Sequence, residues 1–201
     1  MKLILVFCGL FISLSAFAQE SRMEMPRPAE EPPSLQLYPV GLEIRTVRDI
    51  DNQISSKSFW NFSFAYRHVN LSALFEYSQY GDSSGNPTSS VDFTHQELML
   101  WGRWHFWQFK EDAVSGSLYG GLGLGAYKDK VKTTLMGTSR TDESDARVVS
   151  GLGLGGDLSL DLNRDCALIA AVEGRGLFAS DFDPNPTVSG VLRLGFLLRL
   201  Y

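Results

Sequence analysis

The side chains of this sequence that could carry out nucleophilic chemistry gather around one histidine. The chain has three histidines, and only His95 has serines and an acid close by, namely Ser89, Ser90 and Asp92. A histidine activates a serine hydroxyl only when the two lie within hydrogen-bond reach. All four residues are also ordinary members of a polar loop rim, so we expect no catalytic residue here.

Two glycine-rich segments, 120–126 and 151–156, offer a second candidate chemistry. Gly151, Gly153 and Gly156 fit the G-x-G-x-x-G spacing of a dinucleotide-binding loop. That loop needs a strand before it and a helix after it in a βαβ unit, and no helical pattern follows here. The spacing therefore does not indicate a nucleotide site.

Hairpin geometry predicts another role for these glycines. If the loop between the two segments is centred near Gly137 and Thr138, Gly123 lies about opposite Gly153 and both face inward. Glycine would leave room there for bulky inward groups and would ease the curvature of a closed sheet. The bulky groups are Trp101, Tyr119 and Tyr127.

Charged clusters in the polar connections could bind ions. Asp181 and Asp183, or the acids of 142–145, present the oxygen ligands that a hard cation prefers. A solvated acidic loop is the favoured interpretation, and we expect neither a metal nor another cofactor. Basic residues around one connection could pair with lipid phosphates, although loop solubility explains them nearly as well. They are Lys128, Lys130, Lys132, Arg140 and Arg147.

Eight stretches of alternating apolar and polar residues must position all of these groups. A period of two is typical of a β-strand with one apolar face. The predicted strands are 36–47, 59–67, 71–80, 93–107, 117–128, 147–160, 166–178 and 188–200. Long polar connections alternate with tight turns, as in an antiparallel barrel with both termini on one side. The long ones are 48–58, 81–92, 129–146 and 179–187, and the short ones are 68–70, 108–116 and 161–165.

The phase of the alternation assigns each side chain to a face, because a slip of one residue exchanges the two faces. One face is ionic and is predicted to line the lumen. It contains Glu43, Arg45, Arg67, Glu76, Glu97, Arg103, Asp157, Glu173, Arg175 and Arg193. The other face is continuously apolar and is predicted to meet lipid. Its aromatic members include Trp60, Phe62, Trp104, Phe106 and Phe196.

An apolar outside and a polar inside are what a bilayer demands of strands. We therefore predict an all-β fold, an eight-stranded antiparallel up-and-down transmembrane β-barrel. Its interior is only just wide enough for side chains, so the nearly balanced acids and bases should form a network of ion pairs that plugs it. A gated channel, opened by exchange of ion pairs, and a soluble barrel with reversed faces are the alternatives.

The start of the chain has the features of an export signal. A positive start at Lys2, an apolar run and the small-residue site Ala16–Ala18 predict a cleaved signal peptide at 1–18. Residues 19–34 are rich in proline and glutamate and predict a disordered periplasmic leader. The barrel is expected to occupy 35–201.

The composition of the remaining chain excludes some classes. After removal of the signal, Cys166 is the only cysteine, so no internal disulfide forms. Loss of Lys2 leaves 17 basic against 23 acidic residues, a formal net charge of −6. This acidic balance does not indicate nucleic-acid binding.

The chain resembles the small outer-membrane β-barrel superfamily, which includes the OmpA transmembrane domain and the OmpX-type and OmpW-type barrels. The resemblance covers about residues 36–201 and rests on the signal, the eight strands, the Gly-Leu-Gly-Leu-Gly segments and the last strand. It implies insertion into a Gram-negative outer membrane by the barrel assembly machinery. One departure is Tyr201, which is in phase with the inward residues Arg193 and Arg199 and not with the apolar face.

The resemblance and the residues together predict a non-enzymatic barrel with a structural or surface-interaction role through its extracellular loops. We expect a monomer in contact with outer-membrane lipid and lipopolysaccharide, with no nucleic acid bound. The sequence does not identify the loop ligand. A narrow porin-like channel is the first alternative, and an enzyme that modifies outer-leaflet lipid through His95 is the second.

Overall fold

The computed structural model describes residues 32–48, 54–86 and 89–201. The predicted signal peptide and residues 19–31 of the predicted leader lie outside this part of the chain. The described residues form nine antiparallel strands, and no helix among them is long and apolar enough to cross a membrane. The strands are β1 (Ser34–Arg48), β2 (Ile54–His68), β3 (Leu71–Asn86), β4 (Ser89–Glu111), β5 (Val114–Leu135), β6 (Thr138–Glu143), β7 (Arg147–Asp161), β8 (Cys166–Phe178) and β9 (Thr187–Arg199).

Eight of these strands close into a ring. Each pairs with its neighbours along the chain, β5 pairs with β7, and β9 pairs with β1 to complete the circuit. β6 stands outside the ring, because it pairs only with the far end of β5. The prediction of an eight-stranded up-and-down barrel is confirmed.

The strands run further than the alternation predicted. The predicted turn 108–116 is wrong, since β4 and β5 leave only Asp112 and Ala113 between them. The predicted loop 81–92 is also mostly strand, because β3 and β4 stay paired out to Asn86 and Ser89. Polar residues continue the backbone ladder there without an apolar face, so hydrophobic periodicity could not reveal them.

The predicted loop 129–146 contains an additional hairpin. Met136 and Gly137 both have positive φ, at 47° and 82°, which is the backbone of the two-residue turns that connect tight hairpins. The β5–β6 hairpin therefore reverses between Met136 and Gly137, and the pairs of β5 with β7 are centred on Gly137. Gly123 consequently pairs with Gly151, and Gly153 with Gly121, so the predicted Gly123–Gly153 pairing is wrong by two residues.

The outward face is apolar over the middle of the wall. Trp104, for example, is 59% exposed and Leu100 is 57% exposed. The predicted lipid-facing aromatics Trp60, Phe62, Trp104, Phe106 and Phe196 all alternate onto this face. On β4 the face runs from Leu98 to Phe106, a length close to the roughly 9–11 residues of a membrane-spanning strand.

A row of polar residues limits the apolar band at one end of the barrel. Gln79, Gln96 and Lys128 pair across β3, β4 and β5 at one level and follow the last outward apolar residues. This end, which we call the outer end, is opposite to the end where β1 begins and β9 ends. Side chains beyond the row, including His95, therefore lie outside the membrane-spanning segments.

The last strand explains the phase of Tyr201. β9 ends at Arg199, so Tyr201 lies past the paired wall, where its hydroxyl donates a hydrogen bond to the carbonyl of Arg164 at 3.2 Å. The partner strand β1 carries an irregularity between Leu37 and Val40. Pro39 lies within it, as expected for a residue that cannot donate to a ladder.

Candidate functional site: a filled lumen and an outer cup

The ten ionic residues predicted for the lumen all lie on the inner wall, and nine of them are buried. Arg67, near the inner end, is the partly exposed member. It lies 3.9 Å from Asp157. The set contains five arginines and five acids, so its formal charge is zero. We call these ten residues the lumen network.

The centre of the lumen network is a knot of two acids and three arginines. Arg175 donates to both carboxylate oxygens of Glu76, at 2.5 and 3.1 Å. Arg193 donates to Glu76 from Nε at 3.0 Å and to Glu173 from Nη1 at 3.0 Å. Arg103 also donates to Glu173. Their side chains are at most 3% exposed, and charges so deeply buried are tolerated only when paired.

A second group of ion pairs lies above the knot toward the outer end. Arg45 makes a two-pronged contact with Glu97, at 2.8 and 3.1 Å, and donates from Nε to Glu43 at 3.0 Å. Paired geometry of this kind is the strongest form of the guanidinium–carboxylate contact. Arg175 lies 3.9 Å from Glu43, so the two groups of ion pairs are continuous.

Aromatic rings fill the space beside the guanidinium groups. The Arg175 guanidinium lies 4.3 Å from the centre of the Trp101 ring, and that of Arg103 lies 4.6 Å from the Tyr119 ring. Trp101 fits because the facing wall is bare: a methyl group at Gly123 or Gly151 would come within 2.8 Å of its ring. The glycine segments therefore face inward and make room for a large side chain.

Sequence reasoning missed a polar chain at the inner end. Ser72 and Ser117 hydrogen bond the two ring nitrogens of His105, at 2.9 and 2.8 Å, and Ser117 donates to Asp157 at 2.9 Å. These residues come from β3, β4, β5 and β7. Inward phase was the available signal, but the contacts depend on the register of four strands.

His95 has different neighbours from those that its sequence suggested. Its Nδ1 lies 2.7 Å from Asp129, and its Nε2 lies 3.5 Å from Glu97. Tyr80 and Asp129 are the residues opposite His95 on the two neighbouring strands. Ser89 and Ser90 lie six and five residues before it on the same strand, β4. The histidine thus contacts carboxylates, and its hydrogen bonds do not include a serine.

The outer end of the barrel opens into a concave site of about 640 Å³, which we call the outer cup. Its floor is formed by Phe59 and by Arg45, a member of the lumen network. Its walls come from β2, β3, β4, β5 and the segment between β8 and β9. The wall residues include Lys57, Tyr80, Asp82, Phe93, His95, Tyr127, Asp129, Asp181, Phe182 and Asp183.

Ion pairs and tyrosine hydroxyls organise the rim of the cup. Asp82 accepts from Lys57 at 2.7 Å and from the Tyr80 hydroxyl at 2.7 Å, and both contacts hold the pKa of Asp82 below its usual range. Asp181 accepts from the Tyr127 hydroxyl and from Arg147. Burial raises the pKa of Asp181, but these two donors outweigh it and lower the value. The rim acids are therefore ionised at neutral pH.

Burial and hydrogen bonding oppose each other at His95. Burial lowers the pKa of its ring, whereas the hydrogen bonds to Asp129 and Glu97 raise it, and the net direction is upward. The ring stacks on Tyr127 at 5.1 Å between centres. His95 therefore joins the aromatic wall of the cup to its acids.

An apolar outer wall around a polar, filled interior is the architecture of a transmembrane β-barrel. No family model and no curated protein matches the sequence. The solved structure of Neisserial surface protein A has the same fold, with a TM-score of 0.55 and 16% identity over 84% of this chain and 97% of that one. The solved structure of Ail from Yersinia pestis has a TM-score of 0.48 and 18% identity, and the match covers 85% of this chain and 99% of that one.

Proposed function

We propose that this protein is a non-enzymatic integral protein of a Gram-negative outer membrane, with a structural or surface-interaction role. The observation that carries the proposal is the lumen network, whose paired charges and packed rings fill the interior beneath the outer cup. A filled barrel offers the bilayer a stable wall and offers the outside a shaped surface. The outer cup then faces the extracellular medium.

The remaining partners follow from this placement. The apolar band contacts outer-membrane lipid, and the basic residues at the outer end, such as Lys128 and Arg147, lie where lipopolysaccharide phosphates would be. Insertion would use the barrel assembly machinery, and a closed ring needs no second copy to complete its sheet, which favours a monomer. The contacts of His95 with two carboxylates favour no enzymatic role.

Fractionation of cells that express the protein tests the location. We expect the protein in the outer-membrane fraction, with a gel band whose migration changes on boiling, since a closed barrel resists detergent until heated. Recovery as a soluble periplasmic protein without that change would overturn the proposal.

A narrow solute channel is the second candidate, and one observation favours it. Asn61, Ser63 and Ser78 are buried side by side on β2 and β3, and their side chains have no hydrogen-bond partner within the described structure. Buried polar atoms of this kind usually bind water. Conductance in planar bilayers separates this candidate from a filled barrel.

A further inference from the structure

The outer cup contains a continuous arc of aromatic rings. Centre-to-centre distances link Phe93 to Tyr80 at 6.2 Å, Tyr80 to Phe59 at 5.1 Å, and Phe59 to His95 at 5.7 Å. The arc continues from His95 to Tyr127 and from Tyr127 to Phe182, each at 5.1 Å. Rings from four strands and one loop thus surround a single cavity. A volume of about 640 Å³ is within the usual size range of small-molecule sites.

The cup carries a formal negative charge while His95 is neutral. Among the described residues of its floor, wall and rim, three are basic, namely Arg45, Lys57 and Arg147. Four are acidic, namely Asp82, Asp129, Asp181 and Asp183. Three positive charges against four negative ones leave a formal charge of −1, or zero when His95 is protonated. A cavity with low-dielectric walls concentrates such a field.

Rings of the arc already contact cations supplied by the protein. The Arg45 guanidinium lies 4.3 Å from the centre of Phe59, and the Lys57 ammonium lies 5.8 Å from that of Tyr80. Both distances are within the range of cation–π attraction. The remaining rings of the arc, including Tyr127 and Phe182, line the same cavity as the acids.

We propose that the outer cup binds a small organic ammonium ion. The aromatic rings would pack around its methyl or methylene groups, and carboxylates of the cup such as Asp129 and Asp181 would stabilise its charge. Aromatic walls combined with acids are the chemistry that recognises alkylammonium groups. This inference rests on the proposed function only in that the cup must face the extracellular medium.

Paired ligands of equal shape test the chemistry directly. The full chain in lipid nanodiscs is titrated with choline and with 3,3-dimethylbutan-1-ol, its uncharged isostere, while the NMR signals of the His95 and Tyr127 rings are followed. We expect saturable shifts with choline and about tenfold weaker binding of the isostere, which corresponds to about 1.4 kcal/mol. Equal binding of the two compounds, or shifts that do not saturate, would overturn the inference.

Two variants and a matched control locate the site. Asp181→Asn removes a rim charge while keeping its shape, and Phe182→Leu removes a ring of the arc. Each should weaken choline binding about fivefold or more. Asp142→Asn makes the same chemical change on exposed β6, where Asp142 pairs with Arg140 outside the cup, and it should leave binding unchanged. Equal affinities for all four proteins would contradict the assignment.

Further measurements on the same preparations separate the possible failures. Heat-modifiable migration reports whether each variant is folded, and conductance reports whether the lumen is filled. A folded, non-conducting barrel that does not bind choline would retain the proposed function and remove this inference alone. Titration with Nα-acetyl-lysine amide distinguishes the ligand source, since tighter binding than choline assigns the cup to a lysine side chain of a peptide.

Discussion

Single acids in the lumen network hold several guanidinium groups at once. Glu173 accepts from Arg103 and Arg193 and also contacts Arg175. Removing one partner of a buried ion pair leaves the others uncompensated in a medium of low polarity. The stability of the barrel should therefore depend strongly on this one carboxylate.

Replacement of Glu173 tests that dependence. We expect Glu173→Gln to lower the free energy of unfolding by about 3–5 kcal/mol, measured by urea unfolding in lipid vesicles. Glu143→Gln is the matched control, because Glu143 is exposed and pairs with Lys128 at 3.4 Å on the outer hairpin. A control variant as unstable as Glu173→Gln would show that the buried pairing is not the cause.

His95 makes the stability of the outer end depend on pH. Its raised pKa means that the charged ring binds Asp129 and Glu97 more tightly than the neutral ring does. That contribution to stability is complete below the unfolded value of about 6.5 and is lost as the pH rises through the raised folded value. The groups around the ring are Arg45, Glu97, Asp129 and the rings of Phe59 and Tyr127.

NMR titration of His95 measures this effect. We expect the His95 ring to titrate with a midpoint above about 6.5 in the wild-type protein. The midpoint should be lower in Asp129→Asn, because a neutral amide does not stabilise the protonated ring as a carboxylate does. A midpoint that rises in the variant would contradict the hydrogen bond as its cause.

Residue-scale prediction from the sequence worked for faces and not for contacts. The inward position of Glu76 or Arg193 follows from strand phase, because a period of two leaves only two choices. The pairing of Arg193 with Glu76 joins residues 117 positions apart, and local pattern carries no information about it. For the same reason the sequence did not predict the series of hydrogen bonds from Ser72 to Asp157.

At the scale of elements, the glycine segments of β5 and β7 leave space for the side chain of Trp101. A methyl group at Gly123 would lie 2.8 Å from both Met99 and the ring of Trp101. Trp101 is fully buried and packs beneath Arg175, so it has little freedom to move. Bare backbone on two neighbouring strands is therefore a packing requirement of the filled lumen.

A pair of alanine substitutions tests this requirement. Gly123→Ala should destabilise the barrel by about 1–3 kcal/mol through overpacking. Gly190→Ala is the control, since nothing lies within 4 Å of a methyl group on that outward glycine. Urea unfolding of both variants in vesicles checks the difference, and equal stabilities would contradict the packing role.

The sequence predicted elements well wherever one face is apolar. All eight wall strands carry that pattern, whereas β6 is exposed at every position and gave no periodic signal. Its turn at Met136 and Gly137 fixes the true centre of the reversal. Because the partner of a residue shifts by two positions for each residue by which the centre moves, a small error in the expected centre displaced the predicted partner of Gly123 from Gly151 to Gly153.

At the scale of the whole molecule, the barrel has three distinct regions. An apolar band covers the outer face, the lumen network fills the interior at neutral charge, and the outer cup brings aromatic rings and acids together at one end. A lumen only just wide enough for side chains leaves no continuous aqueous path when every arginine of the centre is paired. The protein should therefore insert into a bilayer without making it permeable.

Conductance of the heat-modifiable, wild-type protein in planar lipid bilayers shows whether the lumen is filled. We expect insertion without discrete current steps across a range of voltages and salt concentrations. Reproducible open-channel steps of a single size would contradict a filled lumen and would favour the polar wall around Asn61 and Ser78 as a solute path.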